Sequence, residues 1–508
     1  MTQIIDSVGG TITRVWDGLD RLTSETTAQG TVGYSYDAAS RRTKLTVPGQ
    51  ADVTYGYDNA NRPTTVSQGA GTVTFGYDNA NRRTSLTLAN GVTAAYAYDA
   101  GSQLTAITYT QGATTVGTLT YAYDNAGRIS ARGGTLFQSI FPAAVTSATY
   151  DADNRLTAWA AASGTLNPTY DANGRQITDG GKGHGSHTLT WDARGRLTAI
   201  AATPASFAYD AIGRRTTATI AGTATGYLYD GADIVQELAG ATPNAGVLTG
   251  GGIDERFSRT TGGATSTFLT DFLGSTVALA DSTGAIKTNY AYDPYGVTSQ
   301  TGAANTSPYQ YTGRENDGAT GLYYYRARYY NPAWGRFISE DPIGLRGGVN
   351  LYQYAAADSL GVTDPSGMDN KPRNPICPQG GLAGPLTNLI GEKFADAAYA
   401  AGKIAGTNPQ IQPAPNGIRV TNSPINIGNR AVTLGNFEIF TTLQTPTGGQ
   451  ISYTHVFVNN GRHEDGHTYQ ATALGDLYLP VEAIFSGLFG DKNPLETDAD
   501  RHALSNCP

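Results

Sequence analysis

The 508-residue sequence predicts a mainly β protein, in which antiparallel strands wind along a sheet and a small α+β domain follows. Three observations support this prediction. An aromatic-Asp dipeptide recurs about every 20 residues through the first 230 positions, Gly and Tyr are abundant (64 and 31 residues), and the composition changes after Gly367. A period in this range is typical of stacked or wound repeats. The chain is also longer than a single hydrophobic core usually serves.

Each repeat predicts a strand, a tight turn and a second strand. A typical copy reads TVTFGYDNANRRTSLT: an alternating run ends at the aromatic residue, Asp and Asn or Gly form the turn, and Arg opens the next run. We expect structural roles, in which the ring packs, Asp closes the turn and Arg stacks on a neighbouring ring. The repeated aspartates are Asp17, Asp37, Asp58, Asp78, Asp99, Asp124, Asp151, Asp171, Asp192, Asp210 and Asp230.

Charge and hydrophobicity exclude several partners. Only 15% of the residues are charged, and the formal net charge is −8, so nothing in the sequence attracts nucleic acid or an anionic membrane. No apolar run approaches the roughly 18 residues of a transmembrane helix. The sequence MTQIIDSVGG has neither the basic nor the apolar region of an ordinary export signal. Secretion would therefore use another route.

The repeats resemble the YD repeats of the Rhs and Tc toxin families. The resemblance is most specific over residues 311–368, where GLYYYRARYY, GRFISEDPIGL, GGVNLYQY and DPSG follow one another as in the Rhs core motif. It implies a YD-repeat β-sheet shell (residues 1–310), a self-cleaving plug (the core segment, residues 311–368) and an enclosed toxin domain (residues 369–508).

The resemblance also implies a setting for the protein. A chain of this kind is made in the bacterial cytoplasm and then secreted or injected into target cells. A cognate immunity protein and a component of a secretion apparatus are the expected partners, and a target-cell protein is the expected substrate.

Self-cleavage would use two Asp-Pro steps of the core segment. By resemblance, Asp341 and Asp364 form an aspartyl protease pair, and the cleaved bond joins Met368 to Asp369. Two carboxylates that share a proton supply an acid and a base for hydrolysis of a nearby peptide bond. Met368 stands where the family usually has Leu, and Asp358-Ser359-Leu360 replaces its usual Asn-x-Pro. The alternative is that both Asp-Pro steps serve only as turns.

The remaining residues predict a separate α+β domain of normal size. Residues 369–388 are rich in Pro and Gly, which is typical of a linker. A helix is predicted over 388–404, strands within 419–427, 431–445 and 450–458, and a second helical region from about residue 462. Cys377 and Cys507 lie in this part of the chain, as free thiols or as a disulfide formed in an oxidising compartment.

The motif HEDGH at residues 463–467 predicts a zinc site. On a helix His463 and His467 face the same side and can bind one Zn²⁺, while Glu464 can hold and deprotonate a water molecule. The metzincin pattern is excluded because Ala473 stands where its third His would be.

The third zinc ligand is expected from residues that follow the HEDGH motif. Residues 493–500 resemble the gluzincin arrangement, in which Glu496 would bind zinc and Asp500 would orient a ligand histidine. Asp498, Asp500 and His502 remain competing ligands. His502, Tyr469 or Tyr478 could instead stabilise an oxyanion. The run from residue 463 to 500 also resembles small bacterial metallopeptidase domains.

Three functions follow. The first is a shell that encloses and releases a zinc metallopeptidase, with no nucleic-acid partner. The second is a non-enzymatic scaffold or adhesion protein with an inert terminal domain. A nuclease toxin is disfavoured, because residues 369–508 contain 12 acidic and 9 basic residues and lack a basic stripe.

Overall fold

The computed structural model describes residues 2–181, 187–201 and 203–368, together with the backbone of five short strands beyond them. The chain divides into two compact units. The first contains residues 1–35, 43–57 and 63–376, and the second contains residues 36–42, 58–62 and 377–508.

The chain begins with a 13-stranded sheet, the first sheet, in which each strand lies beside the next one along the chain. The strands form successive β-hairpins, as the repeats predict. The strands are β1 (Gln3–Asp6), β2 (Gly10–Trp16), β3 (Leu22–Thr27), β4 (Gly30–Tyr36), β5 (Arg42–Thr46), β6 (Val53–Tyr57), β7 (Pro63–Gln68), β8 (Gly71–Tyr77), β9 (Arg83–Thr87), β10 (Val92–Tyr98), β11 (Leu104–Gln111), β12 (Thr114–Tyr123) and β13 (Ile129–Gly133).

Two small sheets follow and lead into a 12-stranded sheet, the second sheet, with the same strand order. The small sheets contain β14 (Val145–Tyr150), β15 (Leu156–Ala161) and β16 (Gly164–Leu166), then β17 (Thr169–Tyr170) and β18 (Gln176–Thr178). The second sheet contains β19 (Leu189–Trp191), β20 (Leu197–Ile200), β21 (Ala205–Tyr209), β22 (Arg215–Ile220), β23 (Thr223–Asp230), β24 (Asp233–Ala239), β25 (Thr242–Thr249), β26 (Arg256–Thr261), β27 (Ala264–Thr270), β28 (Thr276–Ala280), β29 (Ile286–Tyr292) and β30 (Thr298–Gly302).

The core segment contains short strands and single 3₁₀ turns. Its sheet consists of β31 (Glu315–Asn316), β32 (Tyr323–Tyr325), β33 (Arg328–Asn331) and β34 (Arg336–Phe337), and β35 (Val362–Thr363) pairs with β36 (Lys371–Pro372). The 3₁₀ turns are Tyr311–Gly313, Gly318–Thr320, Gly344–Gly347 and Ala355–Ala357.

A four-stranded sheet lies in the second unit. Its order is β37 (Gln410–Ala414), β38 (Gly417–Ser423), β40 (Phe437–Thr441) and β39 (Val432–Leu434), with β38 and β40 parallel. Strands β38, β39 and β40 fall in or beside two of the predicted strand runs. The predicted helices at 388–404 and from residue 462, and the predicted strand at 450–458, lie outside the described residues.

The repeated turn is held by both oxygens of its aspartate. In one copy, Asp192 Oδ1 accepts the backbone N–H groups of Arg194 and Arg196, both at 2.9 Å, and Asp192 Oδ2 accepts Nε of Arg196 at 2.7 Å. The Arg196 guanidinium then lies 5.0 Å from the centre of the Tyr209 ring. The predicted closure of the turn by Asp and the predicted stacking of Arg on a neighbouring ring are confirmed. The ion pair between Asp192 and Arg196 is an additional contact that was not predicted.

The position before the arginine requires left-handed backbone, which explains why Asn and Gly recur there. Its φ is +77° at Gly195, +61° at Asn154 and +90° at Gly213. This residue donates its N–H to the carbonyl of the turn aspartate, as Gly213 does to Asp210 at 3.1 Å. The turn therefore depends on a backbone conformation that few residues adopt without strain.

Strands β23–β28 of the second sheet are buried on both faces along part of their length. Successive side chains alternate between two hydrophobic clusters: Leu228 packs with residues of the first sheet, whereas Tyr227 and Tyr229 pack with Tyr324 and Tyr329 of the core segment. Ring contacts such as Phe75 to Phe257 at 5.8 Å join the two large sheets directly. The second sheet is thus the middle layer, and the core segment covers its other face.

We predict that Gly213→Val lowers the free energy of unfolding by about 1–3 kcal/mol, because φ is positive there, whereas Gly213→Asn lowers it much less. A Cβ atom at Gly213 meets nothing within 4 Å, so contacts do not contribute. Gly251→Val is the matched control, since Gly251 is equally open but has no positive φ. Denaturant unfolding measures all three; equal loss from the two valine variants would contradict the backbone explanation.

Candidate active site in the core segment

Arg328 brings the two predicted aspartates together. Its Nη2 lies 2.9 Å from Asp341 Oδ2 and 3.1 Å from Asp364 Oδ2. All three side chains are buried, with exposed fractions of 2%, 6% and 0%. Two carboxylates that are 23 residues apart in sequence therefore share one guanidinium in the interior.

The remaining donors of Arg328 bind backbone carbonyls. Nη1 donates to Leu351 O at 3.0 Å, Nε donates to Gly367 O, and the guanidinium lies 3.7 Å from the centre of the Phe337 ring. Burial lowers the pKa of Arg328, and the charges of Asp341 and Asp364 oppose that shift. An arginine side chain nevertheless stays protonated in proteins. Its positive charge offsets the buried carboxylates.

Asp364 also binds the chain just before the predicted cleavage site. Its Oδ1 accepts the N–H of Met368 at 3.0 Å and the hydroxyl of Ser366 at 3.2 Å. Since Arg328 holds the Gly367 carbonyl, both ends of the Gly367–Met368 peptide group are fixed by members of the buried cluster. The predicted cleaved bond is the next peptide bond along the chain.

The backbone reverses direction around this point. Strand β36 runs antiparallel to β35, with Thr363 opposite Lys371 and Val362 opposite Pro372. Asp364 and Met368 lie along the chain between these two strands. Asp369 itself lies outside the described residues.

Asp341 is positioned by its own turn and by a glycine. Its backbone N–H donates to Leu351 O at 2.9 Å, and its Oδ1 accepts the N–H of Ile343 at 3.0 Å. A Cβ atom at Gly347 would lie 2.4 Å from Asp341 Oδ2, so a side chain there would displace the carboxylate. Four further residues of this site were not predicted from the sequence, although all lie in the core segment: Arg328, Gly347, Ser366 and Gly367.

The predicted zinc site lies outside the described residues. This applies to His463, Glu464, His467, Glu496 and Asp500, and also to His502 and Tyr469. Within the described part of the chain, no group of three or more His, Cys, Asp or Glu side chains is arranged to hold a metal ion. None of the helices in that part is long and apolar enough to cross a membrane.

Two family descriptions match the first half of the chain. RHS Repeat matches residues 16–52 and 57–93, and Teneurin YD-shell matches residues 87–231. Residues 16–231 are therefore similar to RHS repeats and to a YD shell. These matches confirm the sequence interpretation of the repeats, and the mainly antiparallel β architecture agrees with it.

Part of this chain is similar to curated proteins that are named as a nuclease and as a deaminase toxin. The tRNA3(Ser)-specific nuclease WapA of Bacillus spizizenii is 32% identical over 213 residues, which is 39% of this chain and 9% of the relative. The double-stranded DNA deaminase toxin A of Burkholderia cenocepacia is 27% identical over 305 residues, which is 50% of this chain and 21% of the relative. The chain thus spans only a small part of each.

A solved structure with a similar chain is that of the TcdB2-TccC3-Cdc42 complex. The match covers 70% of this chain and 21% of that chain, with 22% sequence identity and a TM-score of 0.47.

We predict that Gly367→Ala prevents the turn at the carboxylate pair from forming, because the new Cβ would lie 2.2 Å from Tyr325 O. Gly321→Ala is a matched control in the same segment: φ is +69° there and +71° at Gly367, but nothing lies within 4 Å of its Cβ. The two variants therefore share the backbone strain and differ in the clash.

Thermal unfolding monitored by circular dichroism compares the two alanine variants. We expect the melting temperature to fall further for Gly367→Ala than for Gly321→Ala. Equal shifts would mean that the close approach of Gly367 to the hairpin contributes nothing beyond its φ.

Proposed function

We propose that this chain is an Rhs-type toxin that cuts itself between Met368 and Asp369 and so releases residues 369–508 as an effector. The observation that carries the proposal is the buried cluster of Asp341, Asp364 and Arg328, which also binds the backbone on either side of the Gly367–Met368 peptide group. Because the chain covers only a small part of its relatives, the toxin role remains a proposal for the whole protein.

The cleavage chemistry follows from the charges of this cluster. One carboxylate of the pair accepts a proton from water as the water oxygen attacks the carbonyl carbon of Met368. That proton passes to the nitrogen of Asp369 as the C–N bond breaks, which leaves a carboxyl group on Met368 and a free amine on Asp369. Arg328 keeps both carboxylates in place and compensates their charge in an environment from which water is largely excluded.

We predict that the wild-type chain separates into two fragments, of which the smaller begins at Asp369, and that Asp341→Asn and Asp364→Asn each leave one intact chain. Both changes keep the shape of the side chain and remove its charge. Asp358→Asn is the control, because the Asp358 carboxylate caps its own turn through the N–H of Gly361 and should not affect cleavage.

Intact-mass spectrometry and N-terminal sequencing of the purified proteins measure the outcome. An undivided wild-type chain, or a fragment with another first residue, would exclude cleavage by this pair at this bond.

The released effector is proposed to be a zinc metallopeptidase that acts on target-cell proteins. Two imidazoles (His463, His467) and one carboxylate (Glu496) form a donor set that suits catalytic Zn²⁺. Bound there, Zn²⁺ would polarise a substrate carbonyl. Glu464 would accept a proton from water and give it to the leaving amine, and Asp500 would orient a ligand histidine.

The names of the relatives favour a second candidate. Part of this chain matches a nuclease and a DNA deaminase toxin, so the terminal domain could act on nucleic acid instead. The excess of acidic residues in 369–508 argues against that candidate. Either effector would need a cognate immunity protein in the producing cell and a secretion component for delivery, and both partners belong to the proposal.

We predict that Glu464→Gln binds zinc like the wild type but loses toxicity, whereas His463→Ala loses both. Glu482→Gln, which changes another glutamate of the same domain, should retain both. Metal content by mass spectrometry, growth after expression in the cytoplasm and analysis of new peptide termini provide the three readouts. Toxicity of Glu464→Gln equal to wild type would contradict the peptidase, and degraded nucleic acid in poisoned cells would support the second candidate.

A further inference from the structure

A second arginine, Arg326, joins the turn at the carboxylate pair to the shell. It occupies the tip of the hairpin formed by β32 and β33, two residues before Arg328. Its φ is +55°, which is uncommon for a residue other than Gly, Asn or Asp. This backbone conformation directs Arg326 away from Arg328 and toward the second sheet.

The Arg326 guanidinium contacts two shell carboxylates. Nη1 and Nη2 bind the two oxygens of Asp254 at 3.1 and 2.8 Å, and Nη2 also lies 3.1 Å from Asp233 Oδ1. Nε and Nη2 donate to Ala232 O at 3.3 and 3.2 Å. Two-point binding of a carboxylate fixes the plane of the guanidinium.

One donor of the same guanidinium binds the turn. Nη1 donates to the carbonyl of Pro365, the residue that follows Asp364. The N–H of Ala327, the other tip residue, donates to Ser366 O at 3.1 Å. The hairpin tip therefore holds two successive carbonyls of the turn, while Arg328 holds the carbonyl after them, that of Gly367.

The shell carboxylates are themselves fixed by the folded sheet. Asp233 is the first residue of β24, and Asp254 lies in the loop between β25 and β26. Asp233 Oδ1 accepts the N–H of Asp254 at 3.0 Å. The Asp254 side chain has an exposed fraction of 0% and also binds Arg314 at 2.6 Å.

We propose that Asp233 and Asp254 act through Arg326 to position the Asp364–Met368 turn, so that self-cleavage occurs only after strands β24–β26 have folded. Arg326 is a positioning residue, since it touches the turn and not the bond that breaks. A chain in which strands β24–β26 have not folded would lack these contacts of Arg326. Its effector would stay attached. The inference rests on the proposed self-cleavage and adds the condition under which cleavage takes place.

The test begins with Arg326→Ala, purified as an uncleaved chain. We expect cleavage to be slower than wild type by about a hundredfold, a loss that misplacement by roughly 1 Å can cause. Adding guanidinium chloride below unfolding concentrations should restore formation of the Asp369 fragment, because the free ion can occupy the vacated position. Sodium chloride at equal ionic strength should not. A merely destabilised chain would gain nothing from guanidinium.

Three further variants make the result decisive. Asp233→Asn should also slow cleavage, although it removes only one carboxylate charge and leaves the Arg326 side chain in place. Asp364→Asn should stay uncleaved with or without guanidinium. Arg196→Ala removes an arginine beside β20 that pairs with Asp192 at 2.7 Å, lies outside β24–β26 and does not touch the turn, so it should cleave like wild type. Thermal unfolding confirms that each variant is folded.

The outcomes separate the two claims. A wild-type chain that never cleaves would refute the proposed function. If wild type cleaves and Asp364→Asn does not, then wild-type rates in Arg326→Ala, or equal slowing in Arg196→Ala, would refute the positioning role and leave the proposed function intact.

Discussion

The described structure depends most on the ion pairs of the buried Asp254 carboxylate. Its buried carboxylate lies 2.6 Å from Arg314, 2.8 Å from Arg326 and 3.3 Å from Arg256. Burial alone would raise the pKa of Asp254, but the three arginines hold it well below its ordinary value. Arg256 begins β26 of the second sheet, whereas Arg314 and Arg326 belong to the core segment. Removing one of these partners while the others stay buried would leave a charge unpaired, which usually costs about 3–5 kcal/mol.

The position of the carboxylate pair depends on these ion pairs of Asp254. Arg326 joins the second sheet to the carbonyl of Pro365. On the other side of the hairpin tip, Arg328 joins Asp341 to Asp364. Buried tyrosines complete the packing around the hairpin, as in the 4.4 Å ring contact of Tyr330 with Tyr354. A charged site inside such packing has few alternative arrangements, because each group would lose its partners by moving.

The sequence predicted the parts of the fold that rest on local chemistry. The order Asp, Asn or Gly, Arg predicts the turn because only a few residues tolerate the left-handed position, and Gly195 and Asn154 occupy it as expected. Double-sided burial of the second sheet could not be predicted in this way. Several of its strands alternate like those of the first sheet, and the packing of Tyr324 and Tyr329 against their second face involves residues far away in the sequence.

The candidate site was predicted in part. The resemblance of the core segment to the Rhs core motif implied the pair Asp341 and Asp364, and the structure brings the two together. Nothing local distinguishes Arg326 from Arg328, which are two residues apart and would share a face of a regular strand. The positive φ of Arg326 ends that alternation at the hairpin tip and directs the two guanidinium groups to different carboxylates. Long-range pairing of this kind is visible only in three dimensions.

Hydrogen exchange of the uncleaved Asp364→Asn chain, followed peptide by peptide, tests most directly whether the second sheet and the core segment form one cooperative unit. We expect the slowest amides of β24–β26 and of the hairpin β32–β33 to share the same opening free energy and to lose protection together as denaturant is added. Exchange of the hairpin at a much lower opening free energy than β24–β26 would show that the carboxylate pair assembles independently of the second sheet, and would refute their coupling through Arg326.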